Sequence, residues 1–155
     1  MSNSCCPPDH RDAIDERYGA AALEQEACLC AAVPFDPALL KVIPEEVVSR
    51  DYGCGDPTRW VRPGDRVLDL GSGSGKNAFI CSQLVGAEGS VLGLDRNPNM
   101  LELANSACGS VASQIGYGNV SFRRAEIDQL AEDLDGQPLL GDGCIDVVLS
   151  NCVLN

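Results

Sequence analysis

The stretch VLDLGSGSGKN, residues 67–77, places three glycines alternating with serines between an apolar run and a helical pattern. Glycine loops between a strand and a helix let the backbone approach a ligand closely. Spacing excludes two well-known loops of this kind. A dinucleotide-binding G-x-G-x-x-G loop needs glycine at position 76, where Lys76 stands, and a P-loop needs glycine at position 70, where Leu70 stands. The remaining pattern is D-x-G-x-G-x-G, which runs from Asp69 to Gly75.

Strand and helix patterns alternate from Arg66 onward. The apolar segments predict four strands, at residues 66–70, 90–95, 119–126 and 144–155. Helices are predicted between them, at residues 76–85, at residues 97–115 and, as a short helix, around residues 127–134. This alternation predicts an α/β fold with a doubly wound, mostly parallel sheet, and we expect the strand order 3-2-1-4.

The region before the glycine loop is predicted to be helical. Residues 10–27 favour one helix, a short helix follows Asp36 and Pro37, and another begins at Pro44 and ends near Gly53. Residues 56–64 contain two prolines and a glycine and are typical of a linker. We therefore expect a tail and helical cap over residues 1–57 and the sheet domain over residues 58–155.

Charge and composition exclude several classes of partner. The chain of 155 residues has 11 basic and 23 acidic side chains, a net charge of -12, which disfavours nucleic acid and anionic membrane surfaces. It contains no apolar run long enough to span a bilayer. Residues 1–12, MSNSCCPPDHRD, lack the basic start and apolar segment of a secretory signal, so we expect a cytoplasmic protein.

Nine cysteines are many for this length. Their odd number and the absence of paired C-x-x-C motifs disfavour a disulfide framework or a structural zinc site. In a reducing compartment, thiols pack as small apolar groups, bind soft metals or do chemistry. Cys81 and Cys108 fall in predicted helices and are expected to pack, and Cys144 falls in a turn.

Polar residues close the second and third predicted strands. The Asp95 carboxylate at the end of SVLGLD can accept hydrogen bonds from both hydroxyls of a ribose, or it can cap the helix that follows. Glu126 and Ile127 close the third strand, where a polar contact and an apolar edge could hold an adenine.

From about residue 66 to residue 155 this pattern resembles the S-adenosylmethionine-dependent methyltransferases of the Rossmann-like class. That sheet usually has seven strands, so the resemblance implies a fold truncated after the fourth. It also implies a set of cofactor-binding residues: Asp69, Gly71, Ser72 and Gly73 beside the methionine portion, Asp95 at the ribose, Glu126 and Ile127 at the adenine, and Asn151 near the sulfonium.

Within that class, DYGCG at residues 51–55 and VVLSNCVLN at residues 147–155 resemble the arsenite methyltransferases. The resemblance extends back to about residue 34. In that family, cysteine thiolates hold trivalent arsenic beside the cofactor. The resemblance therefore implies that Cys54 and Cys152 bind arsenic, that an upstream cysteine (Cys28 or, slightly favoured, Cys30) joins them in catalysis, and that Tyr52 shapes the cofactor pocket.

Arsenic(III) is soft, and thiolates are the soft ligands that proteins possess. Its lone pair stays available for attack on a methyl group, so orientation suffices and no general base is needed. The partners implied are a thiol-bound trivalent arsenic compound and a missing C-terminal half. Two alternatives remain: a methyltransferase for another small molecule, and a thiol-rich metal or metalloid binder without catalysis.

Overall fold

The computed structural model of the protein describes residues 35–51 and 55–151. These residues form four α-helices, one 3₁₀ helix and four strands. In chain order they are α1 (Pro37–Leu40), α2 (Glu45–Ser49), the 3₁₀ helix (Pro57–Trp60), β1 (Arg66–Leu70), α3 (Lys76–Val85), β2 (Ser90–Asp95), α4 (Pro98–Ile115), β3 (Val120–Arg124) and β4 (Val147–Ser150).

The four strands form one parallel sheet in the order β3-β2-β1-β4. This confirms the predicted fold class and strand order. Leu70, the last residue of β1, pairs with Leu94 of β2 on one side and with Ser150 of β4 on the other. Because parallel strands end at the same edge, the segments that follow β1, β2 and β4 lie side by side there.

Apolar residues cover both faces of the sheet. On one face, Val67, Val91 and Leu149 pack with the helices, and the rings of Phe79 and Phe122 meet edge to face with centroids 5.4 Å apart. On the other face, a smaller cluster forms around the strand residues Leu68, Leu70 and Leu94, with Ala125 and Leu139 from the segment after β3. Strand β1 is therefore buried from Val67 to Leu70, which makes the start of the glycine loop rigid.

The predicted helix around residues 127–134 is wrong. This segment turns at residues 127–128 and continues to an isolated bridge between Glu132 and Pro138. The Asp133 carboxylate accepts hydrogen bonds from the backbone N–H groups of Asp135 and Gln137, and it pairs with Arg123 of β3. These bonds give the backbone an alternative to helical pairing, and a helix would lose them.

Other boundaries differ by a few residues. The second cap helix ends at Ser49 rather than near Gly53, because Asp51 is held in an ion pair with Lys76 instead of continuing the helix. The predicted linker contains the 3₁₀ helix, whose first turn is capped by the Asp56 carboxylate accepting from the Thr58 N–H. The fourth strand covers residues 147–150 of the predicted 144–155, and residues 152–155 lie outside the described residues.

The predicted helix over residues 10–27 also lies outside the described residues, and the domain boundary at residues 57 and 58 stays a prediction. Within residues 35–51 and 55–151, no helix has the length and apolarity that crossing a membrane requires.

Candidate functional site

The glycine loop after β1 is held by backbone hydrogen bonds at its start and faces open space at Gly73. The N–H groups of Gly71 and Ser72 both donate to the Leu94 carbonyl, at 2.8 and 2.9 Å. Gly75 has a φ of +91°, and a Cβ there would lie 2.7 Å from Cζ of Phe122. Gly73 has a φ of +53°, but a Cβ there would meet nothing within 4 Å. The loop therefore packs on the core at Gly75 and leaves open space at Gly73.

Asp95 links the end of β2 to this loop. One carboxylate oxygen accepts from the Gly73 N–H at 2.8 Å, and the other accepts from the Asn97 N–H at 2.8 Å. The cap of helix α4 is supplied by the Asn97 side chain, which accepts from the N–H groups of Asn99 and Met100. Asp95 thus shapes the glycine loop, and the helix-capping role that the sequence left open belongs to Asn97.

Asp69 is a buried carboxylate beneath the loop, with 2% of its surface exposed. Burial first, and then the carboxylates of Asp51 and Asp95, raise the pKa of Asp69 to about 7. Its Oδ2 atom has no hydrogen-bond partner within the described part of the chain. A polar ligand group at this edge of the sheet would supply one, since buried polar atoms are almost always paired.

Within residues 35–51 and 55–151, three further buried polar atoms have no hydrogen-bond partner: Oγ of Ser72, Oδ1 of Asn77 and Oγ of Ser150. Ser72 lies in the glycine loop, Asn77 in the first turn of α3, and Ser150 at the end of β4. Together with Asp69 they place polar atoms without described partners around the carboxyl ends of β1 and β4. This concentration at one edge makes it the candidate site for a polar ligand.

Glu126 lies on a cavity of about 160 Å³ between the ends of β2 and β3. Its carboxylate is 3.8 Å from the Arg96 guanidinium, and Arg124 donates to the Arg96 carbonyl at 3.0 Å. The cavity is lined by Arg96, Asn97, Pro98, Asn99, Arg124, Glu126 and Leu134. Ile127 instead packs against the smaller apolar cluster of the sheet.

The sequence reasoning missed the cavity residues Arg96 and Asn97. Their signal was present, because both directly follow Asp95 at the end of β2 and therefore reach the same edge of the sheet. The contacts of Lys76 and Ser74 could not be predicted from the sequence, because their partners Asp51 and Val47 lie more than 20 residues away in the chain.

Asn151 directly follows β4, and its amide nitrogen lies 3.5 Å from the Gly55 carbonyl oxygen. This contact joins two segments 96 residues apart in the chain. The predicted site residues Cys30, Tyr52, Cys54 and Cys152 lie outside the described residues. The fold brings six of the predicted cofactor-binding residues to one edge of the sheet, with Glu126 beside them: Asp69, Gly71, Ser72, Gly73, Asp95 and Asn151.

The cap segment rests on the same loop. The Ser74 hydroxyl donates to the Val47 carbonyl at 2.8 Å, and Lys76 forms an ion pair with Asp51. The Lys76 ammonium also lies 4.7 Å from the centroid of the Phe35 ring. Residues 35–51 are therefore fixed to the start of helix α3, immediately after the glycine loop.

Two of the three described cysteines, Cys81 and Cys108, are packing residues. Cys81 is fully buried, and burial raises the pKa of its thiol. Burial also raises the pKa of Cys108, whose thiol contacts the Ala104 carbonyl at 3.6 Å. Cys81 belongs to the apolar core and Cys108 packs against it, which confirms the packing role predicted for both. Among the described residues, no group of three or more metal-ligating side chains comes together.

A family model described as a methyltransferase domain matches residues 62–155. The arsenite methyltransferase of Aquipseudomonas alcaligenes is 41% identical over 152 residues, which cover 93% of this chain and 42% of that protein. The arsenite methyltransferase of Mus musculus is 35% identical over 156 residues, 94% of this chain and 40% of that protein.

Among solved structures, an arsenic(III) S-adenosylmethionine methyltransferase from Chlamydomonas reinhardtii is similar, with a TM-score of 0.69 and 40% identity. The match covers 79% of this chain and 40% of that one. The chain thus spans about two fifths of the length of the curated relatives it matches. The family model covers residues 62–155, and the sheet order and the glycine loop are consistent with that match. The chain therefore belongs to the methyltransferase-domain family.

Proposed function

We propose that this chain binds S-adenosylmethionine and trivalent arsenic as part of an enzyme that methylates arsenite. The observation that carries the proposal is the 3.5 Å contact between Asn151 and the Gly55 carbonyl. Asn151 directly precedes Cys152, and Gly55 directly follows Cys54. Since consecutive Cα atoms are about 3.8 Å apart, this contact supports a shared site for the two cysteines.

The residues at the sheet edge fit the cofactor. The Asp95 carboxylate already accepts one N–H on each oxygen, and an ionised carboxylate has lone pairs for about four donors in all. Its place at the end of β2, beside the glycine loop, lets it accept from ribose hydroxyls as well. The open space at Gly73 leaves room for the cofactor chain, and the unpartnered Asp69 Oδ2 and Ser72 Oγ offer polar contacts for its methionine portion, beside Gly71.

The neighbouring cavity of about 160 Å³ suits the adenine. Glu126 and Arg96 line its polar side. Ile127 packs against the smaller apolar cluster of the sheet. It would therefore act on adenine binding indirectly, by supporting the segment that carries Glu126. Asn151, at the end of β4, would lie near the sulfonium, and Tyr52 would shape the adjoining wall.

S-adenosylmethionine, when bound, supplies an electrophilic methyl group on a sulfonium. The thiolates of Cys54 and Cys152, joined by Cys30 as the favoured third, would hold arsenic(III) through soft sulfur ligands and leave its lone pair exposed. The work of the protein is then proximity and orientation, which can lower a barrier by about 7–11 kcal/mol. No proton needs to leave the nucleophile, so the proposal requires no general base.

Burial first, and then the carboxylates of Asp51 and Asp95, raise the pKa of Asp69 at this edge. An edge rich in carboxylates disfavours an anionic ligand, although Lys76 balances the charge of Asp51. A reducing, cytoplasmic setting would keep the thiols available, and we include it in the proposal. Because the chain spans about two fifths of its relatives, we further propose that polypeptide matching their remaining length completes the enzyme.

Calorimetric titration tests the proposal with S-adenosylmethionine and with arsenite, in buffer free of small thiols. We expect the wild-type chain to bind both. Cys54→Ser and Cys152→Ser should each weaken arsenite binding strongly, because each removes a soft ligand. Cys81→Ser and Cys108→Ser are the matched controls and should leave arsenite binding unchanged, since Cys81 is buried in the apolar core and Cys108 is partly buried against it.

The two alternatives have different outcomes. Binding of S-adenosylmethionine with no arsenite binding would indicate a methyltransferase for another small molecule. Arsenite binding with no S-adenosylmethionine binding would indicate a thiol-rich binder without catalysis. If all four serine variants bind arsenite alike, the assignment of Cys54 and Cys152 is wrong.

A further inference from the structure

Lys76 directly follows the glycine loop and forms an ion pair with Asp51. The pair is largely withdrawn from solvent, with 11% of the Lys76 side chain and 9% of the Asp51 side chain exposed. Removing one partner of such a pair leaves an uncompensated buried charge, so the two groups strongly favour each other's position. Lys76 has no part in the cofactor contacts proposed above.

The pair lies at a particular place in the chain. Asp51 is the first residue of the DYGCG segment and directly precedes Tyr52, Gly53 and Cys54. At the other end of the same segment, the Gly55 carbonyl contacts Asn151. The two described residues of this segment, Asp51 and Gly55, therefore both contact the sheet domain, one at the start of helix α3 and the other at the end of β4.

Further contacts surround the ion pair at Lys76. The Lys76 ammonium lies over the Phe35 ring, and the Ser74 hydroxyl donates to the Val47 carbonyl in helix α2. Lys76 is part of a rigid helix start, with 9% of its surface exposed. Lys76, Phe35 and Asp51 thus form one group of packed contacts at the end of the glycine loop.

We infer that Lys76 is a positioning residue for the arsenic site: its ion pair with Asp51 sets where the Cys54 segment lies relative to the glycine loop. The inference rests on the proposed function and deepens it. Misplacement of a reacting group by about 1 Å can cost roughly a hundredfold in rate. A fixed distance between the Cys54 segment and the glycine loop would therefore keep arsenic in position beside the cofactor. Lys76 itself touches neither arsenic nor cofactor.

The test uses the full 155-residue chain and four variants: Lys76→Met, Lys76→Arg, Asp51→Asn and the double variant Lys76→Met with Asp51→Asn. Arsenite affinity is measured by calorimetry at saturating S-adenosylmethionine, and S-adenosylmethionine affinity is measured separately. Arg123→Met is the matched control, because it removes another partly buried ion pair, with Asp133, away from the glycine loop.

We expect Lys76→Met and Asp51→Asn to weaken arsenite binding by about tenfold or more, with cofactor affinity changed by less than about threefold. Lys76→Arg keeps the charge and should restore arsenite affinity to within about threefold of wild type. The double variant should bind no more weakly than Lys76→Met, because residues that act as a pair are not additive. Arg123→Met should lower the melting temperature and leave both affinities unchanged.

Equal arsenite affinity in wild type and Asp51→Asn overturns the inference, as does a parallel loss of both ligands that Lys76→Arg fails to restore. If Lys76→Met does not fold, Asp51→Asn and Lys76→Arg still decide the question. A wild-type chain that binds no arsenite refutes the proposed function itself, and the positioning role with it. The wild-type titration therefore separates that failure from failure of the inference alone.

Discussion

Replacing Asp95 by alanine is the sharpest test of the cofactor site. In the structure its two carboxylate oxygens hold the N–H groups of Gly73 and Asn97, each at 2.8 Å. In the proposed complex the same carboxylate also accepts the two ribose hydroxyls. The variant therefore removes two ligand contacts and releases the centre of the glycine loop.

The size of the effect follows from these contacts. A hydrogen bond to a charged group contributes about 1.5–3 kcal/mol, so losing two should cost at least about 3 kcal/mol of binding free energy. That corresponds to a dissociation constant for S-adenosylmethionine raised by roughly a hundredfold or more. Asp95→Asn keeps one oxygen acceptor and the shape of the side chain, and it should fall between wild type and Asp95→Ala.

Calorimetry should be run with S-adenosylmethionine and with S-adenosylhomocysteine, which carries the same ribose but no sulfonium. Both ligands should weaken by the same factor, because the contact is to the ribose. Asp142→Ala, at an exposed turn, is the control and should bind like wild type. If Asp95→Ala binds within about threefold of wild type, the ribose assignment is refuted and Asp95 serves only to shape the loop.

Three further predictions concern this loop and the strand that precedes it. Burial raises the pKa of Asp69 to about 7 from its ordinary 3.8, so the unfolded chain loses this proton first and the free energy of unfolding should fall as pH rises between these values. Asp69→Asn should remove that slope, and urea unfolding from pH 4.5 to 8 checks it; a pH-independent difference from wild type would contradict it. Gly75→Ala should lower the unfolding free energy by about 1–3 kcal/mol, because its Cβ would lie 2.7 Å from Phe122. Gly73→Ala should cost less stability than Gly75→Ala, because its Cβ meets no neighbouring atom and only the strain of a φ of +53° remains, and it should weaken S-adenosylmethionine binding, as melting and calorimetry would show; unchanged binding would contradict the open side assigned to Gly73.

Much of the fold was predictable because it depends on local patterns. The apolar segments around Leu68 and Leu92 and the helical periodicity between them predicted the strands, and their alternation predicted a parallel sheet in the observed order. The candidate site was partly predictable for the same reason. Parallel strands end at one edge, so Asp69, Asp95 and Glu126 could be assigned to that edge from their positions in the chain.

The errors arose where distant residues decide local structure. Residues 127–134 have a sequence compatible with a helix, yet Asp133 is drawn into an ion pair with Arg123 and into a turn of its own. The helix after Pro44 ends early because Asp51 pairs with Lys76. A propensity describes what a segment favours alone, and a buried ion pair or a fully paired turn outweighs it.

The sequence by itself determined the class of loop, the sheet that carries it and the edge at which the candidate site lies, because glycine spacing and strand alternation are local patterns along the chain. Only the tertiary structure decided three contacts. The Asp95 carboxylate accepts a hydrogen bond from the Gly73 N–H, and Lys76 forms an ion pair with Asp51. The Asn151 amide contacts the Gly55 carbonyl. These contacts join residues 22, 25 and 96 positions apart. Such contacts depend on how the finished sheet and helices pack, and no periodicity along the chain encodes them.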